Sequence, residues 1–486
     1  MERFAASGIP ARSGNRLGAA KLVDTPAHAR ASFADNVAGA ALAVVWLFTV
    51  LAKVAGITPF GTIAATALGI YVVLELRRLP KMGVGVFGAA VAACAISWSY
   101  LEDPLPTLAE AGDVACFFVA VLLSGGFLRE AADRSRSVHA AGLALIRQPA
   151  GRLNAALSFG GYAMGFILSF GTLQLLCSMA QKANATVTSN PELAERRLRR
   201  SMVAVLRGFC MSTVCNPLSI VAALALTYAP GAEWGPLMLI VFPCALTLLT
   251  FSVLLERGDD GDPDAHVSTP SLRPVLALVL IVAAVIGLVV GVAEVVDFPI
   301  IESVMVSVPF AAVAWMFKQH HWRPGELVRR LEGQARVRYP ALRLEVVILA
   351  SAGIAGAFIA DALPVDAIAL LFSNLNLWGF VLPLLVFWFI CIGAQLAMNP
   401  ILTAAIAGAV LPAPLLLGTP PVTVAAAYMM AWGIGTCVSP FTLSVLITAG
   451  IAERDGRLVA WQWNRGFGVA ALLFASALLA FLASVM

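Results

Sequence analysis

The chain has 486 residues, of which 60% are hydrophobic and 12% charged, with a formal net charge of +4. Soluble chains are about half apolar and a quarter charged, and one water-soluble core stops growing at about 250–300 residues. The composition therefore excludes a single soluble domain and makes membrane lipid the partner of the apolar surface, while the small basic surplus, confined to short loops, excludes a nucleic-acid binder.

Residues 1–36 carry Arg3, Arg12, Arg16, Lys21 and Arg30 without an apolar run, which reads as a cytoplasmic basic tail and not a signal peptide. Glu2, Asp24 and Asp35 argue against a transit peptide. A membrane-crossing helix needs about 20 apolar residues. The first candidate is 37–56, an extra leading helix, with Lys53 near its end and placed to snorkel. Spans at 60–76, 83–100 and 113–128 follow, then a basic amphipathic stretch, 129–152. The apolar segment 156–180 is rich in Gly and Ser and ends before Arg196, Arg197, Arg199 and Arg200. Two more spans occupy 203–228 and 235–255. The polar stretch 256–273 reads as a cytoplasmic linker between halves 57–255 and 274–486. The second half offers spans at 274–293, 299–317 and 344–361, with a basic loop at 318–343. A long apolar region, 365–412, is broken at Asn399-Pro400, and spans at 421–449 and 466–485 close the chain.

Loop charge decides how 156–180 and 365–412 lie. If both enter and return as re-entrant hairpins, about eleven crossings remain and the N-terminus is cytoplasmic. All the basic loops then fall on the inner side, as the positive-inside rule requires, and the C-terminus is periplasmic. If only one of the two crossed, the sign pattern would invert after it. If both crossed, the part between them would fail.

An internal repeat is visible in the middle of two spans. Ser212-Thr213-Val214-Cys215-Asn216-Pro217-Leu218-Ser219 aligns with Gly435-Thr436-Cys437-Val438-Ser439-Pro440-Phe441-Thr442 at a constant offset of 223 residues. Upstream of the first lies Gly171-Thr172-Leu173-Gln174; upstream of the second lie Gln395 and Asn399-Pro400. The order hairpin, broken helix, final span is the same in both halves. Each half has an odd number of crossings, so the halves are expected to be inverted repeats, which places a binding site where they meet.

The breaks carry chemistry. Pro217, Pro400 and Pro440 cannot donate to a helix ladder and free carbonyls one turn back. In lipid such backbone survives only where protein or water satisfies it. The half-helices that start at the breaks aim N–H groups and a positive dipole end into the membrane, which suits a carboxylate, while freed carbonyls suit sodium. Candidate substrate- and ion-binding residues are Gln174, Ser212, Thr213, Asn216, Ser219, Gln395, Asn399, Thr436, Ser439 and Thr442. Proline kinks beside Ser and Thr also occur as plain packing features, but repetition at one offset argues against that reading here.

With these motifs the sequence resembles the ion transporter superfamily, whose best-known branch is the divalent anion:sodium symporters. The resemblance covers the architecture from about residue 57 to the end. Its typical Ser-Asn-Thr triplets are absent: Gln174 and Asn399-Pro400 hold the hairpin positions, and Thr213, Asn216, Thr436 and Ser439 hold the breaks. The resemblance implies an elevator mechanism on a scaffold that often forms a homodimer.

Other polar groups have simpler roles. Glu294, Asp297, Glu302, Asp361 and Asp366 sit near span ends, one of them a candidate proton carrier. Asp113 reads as a helix cap. Arg207 is either a guide for anions or a snorkelling anchor. His320-His321 lacks further metal ligands, Trp461 and Trp463 read as an interfacial belt, and the eight cysteines read as free buried thiols. No Walker A loop or hydrolase spacing is present. The sequence thus points to an inner-membrane symporter for a small carboxylate or dicarboxylate, coupled to sodium or protons and without another cofactor. Neither break holds a carboxylate, which a cation antiporter needs. The alternatives are export of a drug, metabolite or metalloid on the same scaffold, and a membrane-embedded enzyme.

Overall fold

The computed structural model describes residues 33–187, 191–256, 271–319, 323–362, 364, 370, 379–411 and 418–485. The tail 1–32, most of the linker 256–273, His320-His321, Asp366 and most of 365–378 lie outside the described residues. The chain is an all-α polytopic membrane protein, with no strand among the described residues.

The first half runs α1 (Phe33–Ala55), α2 (Thr58–Glu75), α3 (Lys81–Trp98), α4 (Pro104–Asp133), α5 (Arg136–Ile146), α6 (Ala150–Leu168), α7 (Gly171–Val187), α8 (Pro191–Thr213), α9 (Ile220–Tyr228) and α10 (Trp234–Leu255). The second runs α11 (Arg273–Val296), α12 (Ile300–Gln319), α13 (Pro324–Gly333), α14 (Arg343–Ala362), α15 (Val381–Gln395), α16 (Pro400–Val410), α17 (Pro421–Val438), α18 (Leu443–Ala452) and α19 (Arg465–Val485). Among the described residues, ten spans, α17–α18 counted as one, are long and apolar enough to cross a membrane. Helices such as α11 are apolar all round because lipid, not water, meets their outer face.

Two expectations change at α4. Its start is Pro104, not residue 113, because Asp103 caps it by accepting from the Leu105 N–H and proline is pre-shaped for the first turn. Asp113 is therefore inside the helix and caps nothing. The stretch 129–152 is not a separate amphipathic element either: it ends α4, forms α5 and opens α6. The described residues of the basic loop 318–343 are likewise folded onto the body. Arg330 and Arg338 reach buried Glu130 at 3.0 and 2.8 Å, Arg338 also holds Asp133 at 2.8 Å, and Arg343 lies 3.4 Å from buried Glu75. Lys53 does not simply snorkel; it pairs with Glu302 at 3.6 Å and sits over the Phe117 ring.

One helix group gathers around α4, which packs on α1, α2, α12 and α14. The Trp46 indole N–H donates to Ser124 Oγ at 2.9 Å and fastens α1 to α4. A second group gathers around α8 and α17, which touch each other and carry α6, α7, α10, α15 and α19. Its tightest seam is α6 on α8. Gly161 and Gly165 on α6, one turn apart, face Val205, Phe209 and Ser212, and Gly208 on α8 faces Ser158 and Tyr162, so the backbones meet as small-xxx-small pairs do in lipid. A Cβ on Gly208 would overlap the Ser158 carbonyl oxygen, which is backbone and cannot move aside. Gly208→Ala is therefore expected to destabilise the protein by about 1–3 kcal/mol. Thermal unfolding of the purified variant checks this, with Gly85→Ala, a position with open space, as the neutral control.

Candidate functional site

The segments expected as re-entrant hairpins contain pairs of packed helices. In the first, α6 and α7 are joined through Ser169 and Phe170, so the arms extend beyond 156–180 at both ends. In the second, α15 and α16 are joined through 396–399, so the hairpin is 381–410 within the expected 365–412. Each turn contains a non-glycine residue with positive φ, Ser169 at 50° and Ala397 at 62°; such strain persists only where surroundings hold it, and it clusters at functional sites. Asn399 caps α16, its Oδ1 accepting from the Ile401 N–H at 2.8 Å, and Pro400 is the first residue of that helix. Pro400 thus starts a helix where the sequence suggested it breaks one.

The two broken helices part where expected. Residues 214–219 separate α8 from α9, and 439–442 separate α17 from α18. The second half-helices start at Ile220 and Leu443, 223 residues apart. Ser219 and Thr442 are their N-caps. At the first break, the Asn216 Nδ2 donates to the Phe166 carbonyl of the first hairpin at 3.4 Å, and its Oδ1 accepts from the Leu218 N–H at 3.0 Å. At the second, Ser439 Oγ donates to the Ala394 carbonyl of the second hairpin at 2.6 Å and accepts from the Phe441 N–H at 3.3 Å. One scheme therefore serves both: the residue before proline caps the amide two positions on and ties the break to the hairpin beside it.

The helices also cross symmetrically. The Cys210 thiol lies beside Cys437, and Gly433 packs against Val214. A shift of 223 residues exchanges those two contacts.

The freed carbonyls differ between breaks. Pro440 leaves the Thr436 carbonyl without its ladder donor, and the hydroxyls of Thr442 and Ser444 take it at 2.8 and 2.6 Å. The Cys437 carbonyl accepts from Asn464 at 3.2 Å, and the Val438 carbonyl from Gln395 at 3.2 Å. Pro217 frees the Thr213 carbonyl in the same way, but no donor among the described residues reaches it or the carbonyls of Val214 and Cys215. Unmet backbone oxygens are uncommon in a protein interior, so this break has oxygen ligands to offer.

The remaining candidates divide. Ser212 Oγ donates to the Phe209 carbonyl and fits against Gly165, Thr213 bonds Cys210, and Thr436 bonds Gly433, each within its own helix. Gln395 bridges the Val438 carbonyl and the Trp461 indole N–H. Gln174 is not at the tip: it sits a turn into α7, exposed, and the buried hydroxyl at the tip is Thr172. Trp461 is exposed, but Trp463 is buried and belongs to no interfacial belt.

Arg207 neither guides anions nor snorkels, because it is fully buried. Its guanidinium donates to Asn464 Oδ1 at 2.7 Å, to the Trp463 carbonyl at 3.1 Å and to Glu256 at 3.2 Å, over the Phe467 ring. Asn464 passes that anchoring on to the Cys437 carbonyl at the second break. Asn464 and Glu256 escaped the sequence reading, and a buried amide beside a tryptophan pair was the one clue available. All eight cysteines are free.

No family model matches the chain, and no curated protein does. Among solved structures, the chain is similar to the Alcanivorax borkumensis YdaH transporter, with a TM-score of 0.57 and 16% identity over 83% of this chain and 98% of that one. It is also similar to Neisseria gonorrhoeae MtrF, described with a class of antimetabolite efflux pumps, at a TM-score of 0.49 and 15% identity over 76% and 81% of the two chains. The chain thus has the fold of the YdaH transporter.

Proposed function

We propose that the chain is a secondary active transporter of a small organic anion, a carboxylate or dicarboxylate, coupled to sodium or protons. Two inverted repeats, 57–255 and 274–486, follow an extra leading helix. The protein sits in the inner membrane as a homodimer, N-terminus cytoplasmic and C-terminus periplasmic, and has no enzymatic activity. The observation that carries this reading is the pair of breaks, each bound to its hairpin by one side chain and neither holding a carboxylate. The fold shared with a transporter supports it. The half-helix starts at Ser219 and Thr442 offer amides to an anion, and the carbonyls of Thr213, Val214 and Cys215 offer oxygen to sodium. Hairpin and broken helix move as one body, elevator fashion, against the group around α4.

Proteoliposomes loaded against a sodium or proton gradient are expected to take up labelled succinate or benzoate above protein-free controls. Transport of neutral or cationic solutes with no carboxylate moved at all would overturn the anion reading. Accumulation only in inverted vesicles, with sensitisation of a deletion strain to a toxic compound, would replace import by export.

A further inference from the structure

The half-helix α9 starts just after the first break and ends at Tyr228, and it packs on α4, α16 and α17. Tyr228 touches both helix groups. Its ring lies against Gly408 of α16, in the second hairpin, where a Cβ would stand 2.1 Å from the ring Cγ. Its hydroxyl lies against Gly356 of α14, where a Cβ would stand 3.2 Å from Oη. The ring centroid is 6.1 Å from that of Phe118 on α4 and 6.2 Å from that of Tyr428 on α17. The Oη is buried without a hydrogen-bond partner among the described residues.

The helices on either side of this ring are smooth. α14 and α16 pack on each other. From 350 to 357, α14 has one side chain larger than serine, Ile354; from 403 to 409, α16 has one larger than threonine, Ile406. Helices with such surfaces approach closely and carry few ridges that would fix their register. Tyr228 supplies a tooth instead. Gly408 makes room for its ring and Gly356 makes room for its hydroxyl. One turn further along α14 stand Ile359 and Ala360, which carry a Cβ. One turn back, Gly353 is taken up by α4: a Cβ there would stand 2.9 Å from the Ala115 Cα. Gly356 is therefore a notch without an open equal one turn away.

We propose that Tyr228 is a detent between the moving body and the group around α4. It is carried on α9, is seated beside Gly408 of the second hairpin, and engages the Gly356 notch of α14. Engagement holds the body in the position seen here, and the tooth must leave the notch before hairpin and broken helix can shift. Shape makes the seat, and the unmet hydroxyl weakens it, because a buried O–H with nothing to bond is unfavourable. The tooth is thus held and still releasable. This rests on the transport reading above and adds a residue outside the two breaks.

The test uses the full-length protein and two opposed variants. Tyr228→Phe keeps the ring and removes the unmet hydroxyl, so it deepens the seat. Gly356→Ala fills the notch and lifts the tooth. Without any solute, hydrogen exchange of the α16 amides, read by mass spectrometry, is expected to slow about 5- to 10-fold in Tyr228→Phe and to quicken by a similar factor in Gly356→Ala. Uptake of labelled succinate or benzoate by proteoliposomes is expected to slow in Tyr228→Phe although that variant is the more stable protein, a combination that plain packing does not produce. Should Gly356→Ala fail to fold, Tyr228→Phe combined with it is expected to restore folding, since the added methyl takes the place of the lost hydroxyl. Unchanged exchange in Tyr228→Phe, wild-type uptake by Tyr228→Phe despite slowed exchange, or no rescue by the double variant overturns the detent and leaves the transport reading standing. Exchange that shifts as expected in a wild type and variants that move neither carboxylate supports the detent and overturns the anion reading alone.

Discussion

Glu256→Leu is expected to abolish accumulation of folded protein, and adding Arg207→Leu to it is expected to restore most of that loss. The Arg207 side chain is 0% exposed and that of Glu256 is 4% exposed, at 3.2 Å from each other. Removing the carboxylate alone strands a guanidinium in a low-dielectric interior, at a cost of about 3–5 kcal/mol. That is a large part of the roughly 5–15 kcal/mol by which a folded domain exceeds its unfolded chain. Arg199 and Arg200, which share Glu256 at 2.9 and 4.0 Å, sit at the rim and can turn to solvent. Arg207 cannot. The double variant removes both charges and leaves Asn464 Oδ1, Ser252 and the Trp463 carbonyl without their donor, so recovery is incomplete. Fluorescence-detected size-exclusion chromatography of wild type, both single variants and the double variant compares the amount of folded protein each yields. A double variant no better than Glu256→Leu would show that the pair is not what holds this corner together.

Features that lipid or covalent geometry imposes were legible in the sequence. Long apolar runs mark the spans because a bilayer requires them, and Asn216-Pro217 and Ser439-Pro440 mark the breaks because proline cannot continue a ladder. Boundaries set by a single cap were less legible: Asp103 and Asp113 both precede apolar residues, and only Asp103 stands before a proline that starts a helix. Partnerships across long sequence distances were not legible. Arg207 is 257 residues from Asn464, and Arg330 is 200 from Glu130. A loop arginine and a buried one look alike until the fold brings a carboxylate to one of them. The same limit applied at the first hairpin, where Thr172 and Gln174 are both polar and only packing decides which one reaches the interior.

Replacing Asn216 and Ser439 together by alanine is expected to abolish transport, while each single variant retains roughly a tenth to a hundredth of the wild-type rate. Each side chain makes two bonds, one accepted from an amide inside its break and one donated to a hairpin carbonyl. Alanine leaves a buried N–H and a buried carbonyl unmet, at about 1–3 kcal/mol for the pair lost. The unwound segment then has two escapes: it rewinds toward helix, which the following proline opposes, or it detaches from its hairpin. Either one moves the half-helix amides away from the solute. Loss at one break leaves the other still oriented, which is why the single variants keep some rate and the double keeps none. Ser439→Thr retains hydroxyl donor and acceptor and is expected to stay within a few-fold of wild type. Asn216→Asp keeps the cap on the Leu218 amide but adds a negative charge beside the site, so it is expected to stop anion uptake while the protein still folds. Initial uptake rates in proteoliposomes, normalised to reconstituted protein, separate these cases. A double alanine variant that transports at the wild-type rate would move the site away from the breaks altogether.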